Sequence, residues 1–343
     1  MADPLVSIVV RSFNEEKHIE RLLLGIFEQS IFDTEVILVD SGSNDQTLSI
    51  ARNYPIQIHT IQPHEFSFGG SLNVGCRAAK GEFIVLASAH VYPVYKDWLD
   101  KLIAPFSNPQ VALVYGKQRG NEDTKYSEHR IFSKWFPHST DLRQDHPFCN
   151  NANAAIRRAV WKQIPYDETL TALEDIDWAR RALKLAYQIA YSADAEVIHV
   201  HCEVLRSVFN RYRREAIAMK RIFPEESFSL WDFIRLFASN SIADLFHASL
   251  DHVLKNHWFD ILGFRLVQFW GTYLGFVQRG PVSQMLRQKF YYPASLVQAR
   301  CTEVPCELRS PIQYVRKGSN ESVVRNPRYL DAADSRNPYV ARE

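Results

Sequence analysis

The sequence predicts an α/β protein: a Rossmann-like, doubly wound and mostly parallel sheet followed by a mainly helical C-terminal extension. Three observations lead there. Short β-branched runs alternate with segments of helical period from residue 5 to residue 115, the pattern of a sheet wrapped by its own crossovers. These runs are nearly continuous apolar stretches, as strands buried on both faces are. Beyond residue 204 the strand signal gives out, and helical stretches rich in Phe, Trp and Leu take over.

Leu5 to Arg11 (LVSIVVR) reads as the first strand. It stops at Ser12-Phe13-Asn14-Glu15-Glu16, where Ser12 or Asn14 can cap a helix and the glutamates suit its first turn. Ile19, Leu22, Leu23, Ile26 and Phe27 then mark one apolar helical face. Glu35 to Asp40 (EVILVD) is the second strand, followed by the polar turn SGSNDQT, a helix over Thr47 to Tyr54 and a third strand over Ile56 to Ile61. Phe68-Gly69-Gly70 opens a helix holding Asn73, Arg77 and Ala78, and Glu82 to Ser88 (EFIVLAS) is the fourth strand. Such a sheet takes its ligands beyond the carboxyl ends of the strands. Trp98 to Phe106 is predicted helical and Val111 to Tyr115 extended. Gly116 to Pro147 has little periodicity and reads as a long, partly mobile segment. Ala152 to Arg157 reads as a strand, Leu173 to Leu185 as an amphipathic helix, and Glu196 to Val200 as a short strand. A basic helix follows from Val204 to Phe223 and ends at Pro224; the rest is helical to about residue 300 and loop-rich after it.

Composition narrows the class. The chain has 343 residues with a formal net charge of +1, 46% hydrophobic and 23% charged. That excludes a disordered or collagen-like chain, and the balance of charge argues against a nucleic-acid partner. Cys76, Cys149, Cys202, Cys301 and Cys306 are too scattered for a disulfide scaffold and read as reduced thiols of a cytoplasmic protein. The opening MADPLVSIVVRSFNEE has no basic leader before its apolar run and is not read as a signal peptide. Trp258 to Val277 is long enough to cross a bilayer, but Asp260 and Arg265 interrupt it, so it reads as a buried or interfacial helix.

Three places carry candidate chemistry. Asp40 sits at a strand end, where a carboxylate can accept from a ribose hydroxyl or a base N–H, or simply cap its own turn. The chain lacks GxGxxG and GxxxxGK[ST], since the first strand leads into SFNEE; a dinucleotide enzyme or P-loop kinase needs such a glycine nest. Ser88-Ala89-His90 follows the fourth strand, and His199 and His201 in HVH point to one side of a later strand. Neutral imidazoles there suit a divalent cation, or they hydrogen-bond polar neighbours with no metal. Glu174-Asp175 opens an amphipathic helix, where exposed N–H groups help keep a carboxylate ionised. A general base can sit there, and so can a plain helix cap.

The blocks VSIVVRSFNEEKHIERLL, EVILVDSGSNDQT, GGSLNVGCRAAKGEFIVLASAH and NNANAAIRRAVWKQIPYDETLTALEDIDWARRALKLAYQIAY resemble, in order and spacing, those of family 2 glycosyltransferases with the GT-A fold. The nearest flavour is the bacterial rhamnosyltransferase-like branch of surface-polysaccharide enzymes. The resemblance spans roughly residues 5 to 223 and implies a catalytic domain over 1–223, with 224–343 as the helical extension. It implies a nucleoside diphosphate-sugar donor and a glycan or lipid-linked acceptor. Arg11, Phe13 and Glu15 should line the nucleotide site, Asp40 should hold the base, and Ser43 and Asp45 should continue that loop. Asn73 and Arg77 should border base and diphosphate, and Trp178 should pack below the acceptor with Arg181 on the same helix. Asp175 should be the catalytic base, with Glu174 supporting it or binding acceptor.

One block departs from the family's acidic DxD-like motif: Ser88 stands at its first acidic position, Ala89 in the middle and His90 at the second. A DxH-like site implies His90 and His199, with His201 as a weaker third, on Mn²⁺ or Mg²⁺; a metal-independent site using Arg and His charge is the other option. The implied reaction is a single inverting displacement. A nucleotidyltransferase and a catalytically inactive sugar-nucleotide-binding scaffold are the competing classes. The basic helix, with Arg206, Arg211, Arg213, Arg214, Lys220 and Arg221, and a tail holding 11 Lys plus Arg against 6 Asp plus Glu from Arg279 to Glu343, point to weak contact with an anionic membrane. The aromatic extension equally suits packing or a homo-oligomer.

Overall fold

The computed structural model describes residues 3–31, 33–201 and 203–280, and the single positions 282, 291, 312 and 314. The first half alternates as expected: β1 (Val6–Ser12), α1 (Ile19–Phe27), β2 (Thr34–Asp40), α2 (Thr47–Ala51), β3 (Gln57–Thr60), α3 (Phe68–Ala78) and β4 (Phe83–Ser88). These four strands are parallel in the order β3-β2-β1-β4. The register places Ser12 opposite Asp40 and Arg11 opposite Ser88, so the carboxyl ends of β1, β2 and β4 finish level with one another. That shared edge positions the site.

Alternate residues of β1 feed two cores. Val6, Ile8 and Val10 join Leu22, Leu23 and Trp98 on one face, while Val9 joins Ile37, Leu72 and Trp178 on the other. Each such side chain contributes about 1.5–3 kcal/mol by leaving water. On the second face α3 lies so close that a Cβ at Gly75 would stand 2.3 Å from Val9 Cγ1.

The second half mixes directions. β5 (Val91–Pro93) and α4 (Trp98–Ile103) precede β6 (Val111–Arg119), α5 (Tyr126–Trp135), β7 (Asp141–Gln144), β8 (Asn153–Arg157), α6 (Arg158–Gln163), α7 (Glu174–Lys184) and β9 (Gln188–His199). β8 runs antiparallel between β4 and β6, and β9 is parallel to β6 but antiparallel to β5 and β7. The parallel character of the sheet therefore belongs to its N-terminal half.

The stretch from Gly116 to Pro147, which shows little periodicity in sequence, contains regular structure. It holds the end of β6, all of α5 and β7. The apolar period is missing because α5 buries Ser127 and Glu128 beside Phe132, two polar positions that serve hydrogen-bond networks rather than a hydrocarbon core. β9 likewise begins well before Glu196.

α8 (Leu205–Ile222), α9 (Leu230–Leu250) and α10 (Leu254–Val277) complete the described fold. Gly271 and Gly275 let α10 approach α8, since Cβ atoms there would lie 2.6 Å from Phe209 O and 2.5 Å from Arg213 O. Arg265, the charge that interrupts the apolar run of α10, is buried. Its Nε donates to Asp244 Oδ2 at 2.7 Å and its Nη1 to Gln268 Oε1 at 2.8 Å, and Ser127 Oγ donates to the same Asp244 oxygen at 2.6 Å. α5, α9 and α10 are joined at this point. No helix among the described residues is long and apolar enough to cross a membrane. The basic tail after 282 lies outside the described residues except at Tyr291, Ile312 and Tyr314. Tyr291 meets Phe66 and Phe68 edge-on, and Tyr314 Oη donates to Pro93 O at 2.6 Å.

Candidate active site

The loops after β1 and β2 are stapled together. Asn14 takes a left-handed φ of 56°, which Asn tolerates better than most residues. Its N–H donates to Ser43 Oγ at 2.8 Å, and its Oδ1 accepts from Asn44 N at 2.9 Å. Glu15 N donates to Thr47 Oγ1 at 2.7 Å. Asp40 is fully buried and accepts from Ser12 Oγ, Gly42 N, Ser43 N and Ser43 Oγ at 2.5–3.0 Å. Asp45 accepts from Glu16 N and from the N–H and hydroxyl of Thr47. Both carboxylates hold the turn itself. Phe13 is half-buried on this loop.

Asn73 is also committed internally. Its Nδ2 donates to Tyr166 O and Glu168 Oε1 at 2.9 Å, and its Oδ1 accepts from Trp161 Nε1 and Tyr166 N. It ties α3 to the segment before α7. Arg77 is exposed, 3.8 Å from Glu168.

Arg11, at the end of β1, gathers the catalytic candidates. Its Nη1 lies 3.2 Å from Glu174 Oε1, and its guanidinium sits 5.1 Å from the Phe68 ring centroid. Leu173 enters α7 with φ 58°, an uncommon conformation for a branched residue, and delivers Glu174 and Asp175 to the first turn. Asp175 accepts from Ile176 N at 2.8 Å and from Asn151 N at 3.3 Å. Those bonds and Arg11 favour its charge, as the helix start predicts. Burial, and then the charge of Glu174, outweigh them and push its pKa up to about 7. The helix start thus favours the ionised form, as expected, but does not prevail over burial, and the carboxyl sits near neutral pH. Trp178 is buried beneath, against Tyr166, and Arg181 pairs with Asp177 at 2.8 Å.

The three histidines do converge. Ser88 and the buried Ala89 carry His90 past the end of β4; its ring stacks on His199 at 5.1 Å, and His201 lies 4.0 Å from His199 by ring centroids. Each Nδ1 has its own acceptor at 2.7 Å: Glu15 Oε1 for His90, Gln118 Oε1 for His199 and Glu128 Oε1 for His201. The Nε2 atoms of His199 and His201 face each other at 2.9 Å. One ligand nitrogen from each ring falls within 4.8 Å of the other two. Burial, followed by the neighbouring imidazoles, holds His199 well below the usual histidine range and hence neutral. Burial opposes protonation of His90, but the charge and hydrogen bond of Glu15 raise its pKa on balance. Burial likewise opposes ionisation of Glu128, yet His201 and Arg211 bring it down to about 2. Imidazoles whose Nδ1–H is fixed by a carboxylate or amide are chemically fitted to offer Nε2 to a divalent cation.

The family model for glycosyl transferase family 2 matches residues 7–164. That stretch of the chain is similar to family 2 glycosyltransferases. The O-antigen chain rhamnosyltransferase RfbN of Salmonella typhimurium is 26% identical over 223 residues, covering 60% of this chain and 70% of that protein. The O-antigen chain rhamnosyltransferase WbaN of Salmonella anatum is 30% identical over 192 residues, covering 52% and 60%. Among solved structures, the mannosyltransferase PcManGT of Pyrobaculum calidifontis, in complex with GDP-Man and Mn²⁺, aligns with a TM-score of 0.53 at 19% identity, over 86% of this chain and 89% of that one. The likeness reaches the family and the fold; these partial matches do not single out the rhamnosyltransferase branch.

The family 2 match contains Arg11, Glu15, Asp40 and His90, whereas Glu174, Asp175, His199 and His201 lie beyond it. Sequence reasoning missed Gln118, Glu128 and Asn151. Gln118 and Glu128 fall in the stretch after Gly116 that has little periodicity, and only the HVH pair hinted that something must orient its rings. Asn151 is buried, with its Nδ2 unpartnered among the described residues while its backbone N–H reaches Asp175.

Proposed function

We propose that this chain is an inverting glycosyltransferase that moves a hexose or deoxyhexose from a nucleoside diphosphate to a hydroxyl of a glycan or lipid-linked acceptor. The observation that carries the reading is the place of Arg11: its Nη1 lies 3.2 Å from Glu174, next to Asp175, and in the sheet it stands opposite Ser88, two residues before His90 of the imidazole trio. This supports reading Asp175 as a base and the imidazoles as part of an anion-binding centre on one edge of the sheet. The rhamnosyltransferase relatives support a deoxyhexose donor and a surface-polysaccharide product.

In this mechanism ionised Asp175 takes the proton of the acceptor hydroxyl as its oxygen attacks the anomeric carbon. The bond to the diphosphate oxygen breaks on the opposite face, and the nucleoside diphosphate leaves with that electron pair, so the configuration inverts. Glu174, held by Arg11, keeps the Asp175 proton affinity high enough for the transfer. His90, His199 and His201 would hold a divalent cation whose chemistry is to offset the charge of the leaving diphosphate. Asp40, Ser43, Asp45 and Asn73 act by shaping the nucleotide-facing loops, and Arg77 is the exposed cation beside them.

The catalytic unit is assigned to 1–223 and works on the cytoplasmic side, at the inner face of the membrane. Several cations of α8 are engaged within the fold: Arg211 with Glu128 and Glu203, Arg213 with Gln278, and Arg221 with Thr169. Residues 224–280 carry 4 Lys plus Arg against 6 Asp plus Glu. Weak membrane contact is therefore better supported by the exposed Trp231, Phe246 and Phe259 of α9 and α10 than by basic charge. The test is nucleoside diphosphate release across a donor panel with a hydroxyl acceptor, with and without chelator. Acceptor-dependent release lost in Asp175→Asn supports the reading; release from no donor, or release unaffected by that substitution, overturns it.

A further inference from the structure

We infer that His90, His199 and His201 form an all-nitrogen centre that takes a late first-row divalent ion (Zn²⁺, Co²⁺ or Ni²⁺) far more tightly than Mg²⁺, aimed by Glu15, Gln118 and Glu128. This rests on the reading of these rings as cation ligands and goes beyond it to selectivity. It replaces the choice of Mn²⁺ or Mg²⁺ that the family's acidic motif implies.

The argument starts from the rings' second nitrogens. Each Nδ1 is taken by an acceptor 2.7 Å away, two carboxylates and one amide, which leaves Nε2 as the nitrogen each ring can offer. Two such nitrogens, on His199 and His201, stand 2.9 Å apart in a buried setting. Two neutral acceptors at that separation repel unless a proton or a cation lies between them. The three acceptors come from the loop after β1, from β6 and from α5, so the orientation is set by three separate parts of the fold. Imidazole nitrogen suits late first-row ions such as Zn²⁺, Co²⁺ and Ni²⁺, and affinity climbs from Mn²⁺ toward the end of the row before falling back at Zn²⁺. Mg²⁺ is a hard ion that requires oxygen ligands and retains water. The acidic groups stand one step behind the rings, where they act as orienting acceptors rather than as oxygen ligands.

The neighbouring group of Glu128, His201 and Glu203 is a different matter. The Arg211 guanidinium lies 2.7 Å from a carboxylate oxygen of each glutamate. Its positive charge already occupies the place a cation would take, so this cluster is an internal ion-pair network that supports Glu128.

The test uses the full chain, untagged and chelator-treated, without donor or acceptor. Co²⁺ is titrated and followed by its visible d–d absorption, then competed with Zn²⁺ and with Mg²⁺. One equivalent of Co²⁺ should bind and Zn²⁺ should displace it, while a roughly thousandfold excess of Mg²⁺ should not. His201→Ala should weaken Co²⁺ binding at least about tenfold. Gln118→Leu, which removes only the acceptor of His199 Nδ1, should weaken it by roughly 10–100-fold with the melting temperature kept. No Co²⁺ spectrum, displacement by comparable Mg²⁺, or both variants binding as the parent does would overturn the inference. A chain that binds Co²⁺ this way yet releases no nucleoside diphosphate sinks the transfer reading alone. A chain that turns over with Mg²⁺ and shows no Co²⁺ spectrum sinks this one alone.

Discussion

Asp175 makes the sharpest prediction. Its carboxyl is raised to about 7 by burial first and by the charge of Glu174 second, and only its ionised form can accept the acceptor's proton. The ionised share then falls from roughly nine tenths at pH 8 to one tenth at pH 6. The wild-type kcat should therefore drop about ninefold over that interval, with a limiting slope of one log unit per pH unit on the acid side. In Asp175→Asn the side chain keeps one acceptor for the two backbone N–H groups but cannot take a proton. The kcat should fall by about two orders of magnitude or more and lose this acid limb, with donor affinity unchanged by calorimetry. Stability moves the other way. A carboxyl whose folded pKa is raised stabilises the fold fully below its unfolded pKa near 4, and that stability is lost as pH rises through about 7. The ceiling is on the order of 4 kcal/mol, lowered by solvent screening because the carboxyl is partly exposed. At pH 8 the Asn variant should thus melt a few degrees higher than the wild type, and at pH 4 the gap should close. A flat kcat profile from pH 6 to pH 8, or an Asn variant that transfers like the parent, would refute the reasoning.

Three further outcomes concern the scaffold. Ala186 is exposed and ends α7 at φ 63°, with its N–H bonded to Leu183 O and that of Tyr187 to Ala182 O, so Ala186→Gly should stabilise by about 1 kcal/mol, read as a rise in Tm. Arg265→Ala strands the buried Asp244 and should cost about 3–5 kcal/mol, while Arg265→Met with Asp244→Leu should recover most of it in denaturant melts. Gly75→Ala forces a methyl against Val9 and should cost about 1–3 kcal/mol by overpacking, with a lower midpoint in urea.

The parallel half of the fold was legible because its strands are buried on both faces and its helices show one apolar stripe; β1 and α1 announce themselves by composition. α5 was not, because its inward face is made of Ser127 and Glu128, whose partners Asp244, Arg265, His201 and Arg211 lie far along the chain, between residues 201 and 265. A polar residue that is buried for its partners looks the same in sequence as one that faces water. The same limit applied to Asp40 and Asn73. The resemblance puts them at nucleotide-contact positions, yet their hydrogen-bonding groups face the protein, and nothing in EVILVD or GGSLNVG separates the two cases.

His90 shows what the departure from an acidic motif entails. Losing carboxylates at positions 88 and 90 looks in sequence like the loss of a cation site, but the carboxylates are displaced rather than missing. Glu15 and Glu128 stand behind His90 and His201, each 2.7 Å from an Nδ1. On the transfer reading this changes the electrostatics at the reacting bond. An ion held by acidic side chains has part of its double charge cancelled before the donor arrives. Three neutral imidazoles leave that charge for the diphosphate, and Arg11 adds a cation already balanced by Glu174. On that reading the centre is more positive where the leaving group develops charge, and the orienting shell must hold the three rings turned inward. Glu15, Gln118 and Glu128 are as necessary to the arrangement as the histidines, since without them each ring is free to turn its other nitrogen to the site.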